Sequence, residues 1–74
     1  MVMFTPNDIS ELRKALGLSV VELAAKLHVN RTTVYHWESG HCHPTYAKLI
    51  ELNMLAKRVG YVPEAMAAFA AKVG

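Results

Sequence analysis

Apolar positions along the chain recur at helical spacing, and the pattern is interrupted at short intervals by residues that start or stop helices. Thr5-Pro6-Asn7-Asp8 opens the first segment, with Thr5 as N-cap, Pro6 at the first helical position and Asp8 favourable to the helix dipole. Phe4 and Ile9 fall at the two positions of a hydrophobic staple. Ile9, Leu12 and Leu16 make an inward stripe, and Gly17 ends the helix as a C-cap. Ser19-Val20-Val21-Glu22 then reads as a capping box, with Leu18 and Leu23 as its staple. Asn30 repeats the logic as N-cap of a third helix, from about Arg31 to Glu38, with Val29 and Val34 as the staple pair. Gly40 ends that helix, and His41-Cys42-His43-Pro44 is a loop. Thr45 caps a fourth helix, Tyr46 to about Val59; its apolar residues cover more than one face, which predicts that it is largely buried. Gly60 stops it, and a last, alanine-rich helix is expected from Pro63 to about Lys72, with Met66, Phe69, Ala70 and Val73 along one side. The pattern predicts an all-α fold of five short helices around one core, a single domain over residues 1–74.

Only Leu27, His28 and Val29 separate the second and third helices, and so short a turn forces the sharp angle of a helix-turn-helix. Leu23, Ala24, Leu27, Val29, Val34 and Trp37 are the inward positions, and the small Ala24 lets the two helices approach closely. The other face of the third helix is Arg31, Thr32, Thr33, Tyr35 and His36, hydrogen-bonding side chains with little reason to be buried. Arginine can bridge the O6 and N7 of guanine, and threonine can offer a hydroxyl or set its methyl on thymine.

Ser19-x-x-Glu22-Leu23-Ala24-x-x-Leu27-x-Val29-Asn30-Arg31-x-Thr33-Val34-x-x-Trp37-Glu38-x-Gly40-x-x-x-Pro44 resembles the Cro/lambda-repressor (XRE) family of helix-turn-helix proteins, over roughly residues 9 to 59. The resemblance implies a compact five-helix domain, usually dimeric on DNA, that represses transcription. It also implies that the helix after Asn30 enters the major groove. By the same resemblance Arg31, Thr32 and His36 face base edges, while Thr33 and Tyr35 meet sugar or phosphate. Ser19, at the amino end of the second helix, and Tyr46 and Lys48, beyond the loop, fall where the family meets the DNA backbone. An arginine of the first helix often pairs there with the glutamate after the recognition helix, which implies an Arg13–Glu38 salt bridge. Two positions depart from the pattern. His28 stands where the family usually has glycine, so a positive φ is expected at a non-glycine residue. Val20 stands where a polar residue is usual, which removes one side-chain phosphate contact and leaves core packing or a thymine-methyl contact open.

Composition permits this reading without suggesting it. The net charge is only +2, and up to Gly40 the cations Arg13, Lys14, Lys26 and Arg31 are balanced by Asp8, Glu11, Glu22 and Glu38. A chain of 74 residues buries a modest core and gains from dimerising. Tyr61, Met66, Phe69 and Val73, with exposed parts of the fourth helix, are the expected dimer contact. The lone cysteine suits a reducing cytoplasm, no apolar run approaches a membrane span, and no signal peptide is evident at Met1-Val2-Met3-Phe4. His36, His41, Cys42 and His43 resemble metal ligands only superficially, since a closed zinc site wants two converging pairs; no metal and no cofactor is expected. The bland reading is a solvated loop in which His43 approaches phosphate, with binding that strengthens modestly toward acid. No constellation for catalysis is evident, so the chain is not expected to be an enzyme. Three functions follow, in order: a phage or mobile-element repressor of its own operon, of the kind that includes repressors accompanying anti-CRISPR genes; an antitoxin that binds a toxin and represses the pair; and an adaptor that uses the fold to bind protein.

Overall fold

The computed structural model describes residues 4–63. Among these residues the chain forms four helices and no strand: α1 (Pro6–Ala15), α2 (Val20–Leu27), α3 (Arg31–Ser39) and α4 (Tyr46–Val59). The expected last helix, with Met66, Phe69 and Val73, lies outside the described residues apart from Pro63.

The starts are built locally. At α1 the Thr5 hydroxyl accepts from the Asp8 amide at 3.0 Å, and the Asp8 carboxylate accepts from the Thr5 amide at 3.0 Å, a full capping box. Ser19 and Glu22 make the same box at α2, at 3.1 and 2.8 Å. Thr45 caps α4 by accepting from the Lys48 amide. Asn30 corrects the expectation: it holds the N-cap backbone conformation but its side chain makes no capping hydrogen bond. Its own carbonyl already accepts the Thr33 amide at 3.0 Å and the Val34 amide at 3.4 Å, so the donor that the side chain would serve is taken.

The stops share one device. In each helix a residue in the left-handed region follows the last turn, and the amide after it reaches back five residues to a carbonyl of that turn. These bonds run from Leu18 to Arg13, Val29 to Ala24, His41 to His36 and Tyr61 to Ala56, at 2.9–3.1 Å. Gly17, Gly40 and Gly60 supply the left-handed residue at three ends; Gly17 does so one position beyond the cap, which is Leu16. His28 supplies the fourth with φ 58° and ψ 44°, the positive φ expected of it.

Leu12, Leu23, Val34 and Leu52, one from each helix, are wholly excluded from solvent and lock the four helices around one centre. Phe4, Ile9, Leu27, Trp37, Leu55 and Ala56 complete that centre, and Ala24 at 3% exposure lets α2 and α3 close on each other. Truncating any one of the buried leucines to alanine costs about 2–5 kcal/mol. Val20 is half-buried and packs against this core. α4 departs from expectation. Its Leu52, Leu55 and Ala56 are buried, yet Tyr46, Ile50, Met54 and Val59 are exposed, because among the described residues the neighbouring helices cover only one of its two apolar faces.

Candidate nucleic-acid interface

The outward side of α3 carries Arg31, Thr32 and Tyr35 exposed, with Thr33 and His36 half-buried beside them. Thr32, Tyr35 and His36 stand at i, i+3 and i+4, so they share one face, with Arg31 at its amino end. The opposite side of the same helix is Val34 and Trp37, both buried. Trp37 is therefore core and not a platform for bases. The hydroxyls, the guanidinium, the phenol and the imidazole all project from a helix whose position is fixed by burial of its other face.

Charged side chains fix that position further. Arg13 donates from Nε to Glu38 Oε2 at 2.8 Å and from Nη2 to Glu38 Oε1 at 3.2 Å, a two-pronged pair. Its remaining nitrogen donates to the Leu18 carbonyl at 3.1 Å. One guanidinium thus joins α1, the loop before α2, and α3. The hydrogen bond to Glu38 raises the Arg13 pKa above its ordinary value, against the opposing effect of burial, so the guanidinium keeps its charge.

Lys48 does work that the sequence did not disclose. Its ammonium donates to the Leu27 carbonyl at 2.6 Å and meets Glu51 at 2.9 Å. It closes the carboxyl end of α2 from α4, so two of its three hydrogens are engaged inside the domain. Nothing in the spacing of residues 21 apart announces this contact. The same holds for Tyr61, 53 residues from its partner. Its hydroxyl donates to the buried Asp8 at 2.7 Å, and it is half-buried against the core, tied to its own domain.

At the amino end of α2, Ser19 is exposed, and its hydroxyl accepts from the Glu22 amide. The Ser19 amide, and secondarily its hydroxyl, hydrogen-bond the Glu22 carboxylate and lower its pKa. At the other end of α3 the loop folds back on the helix. The His36 carbonyl accepts from the amides of His41 and Cys42 at 2.9 and 3.2 Å. This brings the His41 ring to 4.8 Å from the His36 ring, tilted by 51°. Gly40 was the available signal, since a glycine in the left-handed region turns the next residue back over the helix end. His43 and Cys42 are exposed, and Tyr46 is 67% exposed at the first position of α4. Among the described residues no group of three or more histidine, cysteine or acidic side chains is placed to hold a metal. No helix there is long and apolar enough to cross a membrane.

Neither a curated protein nor a solved structure matches the chain. A family model does, that described as helix-turn-helix, over residues 9–54. That span runs from the middle of α1 into α4 and contains the two-helix unit and its left-handed turn at His28. With a buried Val34–Trp37 seam behind and a polar, arginine-led face in front, the chain belongs to the Cro/lambda-repressor-like (XRE-type) helix-turn-helix family of DNA-binding transcription regulators.

Proposed function

We propose that the protein is a sequence-specific repressor of the phage or mobile-element type that binds double-stranded DNA as a homodimer on a two-fold operator. The observation behind this reading is the outward face of α3, where Arg31, Thr32, Tyr35 and His36 are presented by a helix whose other side is core. In this reading Arg31, Thr32 and His36 contact base edges. Thr33, Tyr35, the Ser19 hydroxyl and His43 contact sugar or phosphate and set the register. Two-fold pairing places half-sites about one helical turn, ~34 Å, apart.

Selection of bound sequences from a random duplex pool tests it. The expected result is a palindromic motif. Arg31→Ala should cost about 1–3 kcal/mol and relax one base position in each half. Affinity should fall steeply with salt, in proportion to the phosphates neutralised. Enrichment of no motif, with binding equal on every duplex, would end the reading.

A further inference from the structure

Resting on the dimeric reading above, we infer that the dimer is built on the outer face of α4, packed antiparallel against a second copy about Ile50. Tyr46, Ile50 and Met54 stand four residues apart on one stripe and are 67, 40 and 63% exposed. Three such side chains make a patch of roughly 300 Å² or more, in the range that marks interaction surfaces. The stripe is symmetric about its middle member. An antiparallel two-fold sets Ile50 on Ile50 of the second copy and Tyr46 beside Met54, with no member left over.

A groove of about 290 Å³, lined by Lys26, Leu27, Glu51, Met54, Leu55 and Arg58, flanks this stripe on its Met54 side, toward α2. Charge selects the direction of pairing. Lys57 and Arg58 lie at one end of α4, so a parallel pair would bring like charges together. In the antiparallel pair the two copies of Lys57 lie roughly 20 Å apart at ~1.5 Å per residue, beyond a Debye length. The stripe therefore assigns Tyr46 to the partner copy and not to the DNA backbone. The area is below that of a stable obligate dimer, so the free chain should associate at micromolar concentration or weaker, with DNA completing the pair.

The test uses the full chain. Sedimentation equilibrium should show a monomer–dimer equilibrium. Ile50→Glu and Met54→Glu should each weaken it at least tenfold while leaving the thermal melt within a few degrees of the parent. In a Cys42→Ser background, Ile50→Cys should cross-link across the two-fold under diamide, and the background alone should not. The Glu variants should still bind single half-sites with the parental base preference. Dimerisation unchanged in both Glu variants, or a persistent dimer in which the Ile50→Cys thiols do not cross-link, would overturn the α4 face and leave DNA binding and dimerisation elsewhere standing. A parent chain that is monomeric both free and on a full operator would overturn the inference together with the dimeric reading.

Discussion

Arg13→Ala removes the side chain that mounts α3. The substitution deletes both prongs to Glu38 and the bond to the Leu18 carbonyl. Fully exposed pairs are worth at most about 1 kcal/mol, whereas breaking a buried pair costs about 3–5 kcal/mol. The two side chains are 18 and 14% exposed, between these limits but nearer the buried one. After discounting for residual screening, the single substitution should cost about 2 kcal/mol, of which about 1 kcal/mol is coupling to Glu38 and the rest is the stranded carboxylate and carbonyl. In a domain of this size the melting temperature should fall by roughly 10 °C. Urea melts of the parent, Arg13→Ala, Glu38→Ala and the double variant close the cycle. DNA affinity of the folded Arg13→Ala chain should weaken alike on cognate and altered operators, because the reading side chains are intact and only their mount is loose. A coupling indistinguishable from zero, or a single-variant loss below about 0.5 kcal/mol, would refute the claim that this pair holds the recognition helix.

Other expectations are more local. His28→Gly should be neutral or stabilise by up to about 1 kcal/mol in a melt, since relief of the left-handed strain outweighs the added freedom of the unfolded chain; strong destabilisation would show a contact by the imidazole. Lys48→Met keeps the aliphatic stem but strands the Leu27 carbonyl, and should lower stability by about 1–2 kcal/mol while leaving the salt slope of DNA binding at its parental value. A slope reduced by one would place the ammonium on a phosphate instead. Glu22 has its pKa held below the ordinary 4.5, so it stabilises the fold above that value, and the contribution disappears as pH falls through the lower, folded value. Glu22→Gln preserves the capping geometry without the charge, so its melts should converge with those of the parent at the acid end and diverge toward neutrality. Parallel acid profiles would remove Glu22 from the account.

What the sequence disclosed divides by range. Thr5, Ser19 and Thr45 act within three residues, and their hydrogen bonds could be read from residue type and spacing. Gly17, Gly40 and Gly60 were equally legible, because the left-handed region strongly favours glycine. His28 and the Arg13–Glu38 pair were legible only through resemblance to a family, as no local rule puts imidazole in that region or joins charges 25 residues apart. Asn30 misled because residue type does not tell whether the target amide is already bonded. The outward stripe of α4 was hidden for a related reason: periodicity identifies apolar faces but not which of two faces has a neighbour. Lys48–Leu27 and Tyr61–Asp8 follow from packing alone.

The side chains that hold α3 in place, Val34, Trp37 and Glu38, and those that face outward from it, Arg31, Thr32, Tyr35 and His36, are separate sets. The scaffold therefore behaves like a printer's forme, in which type can be exchanged while the frame stays locked. Rewriting the four outer characters should redirect the protein to a new text at little expense in folding, whereas altering the frame would blur every text alike.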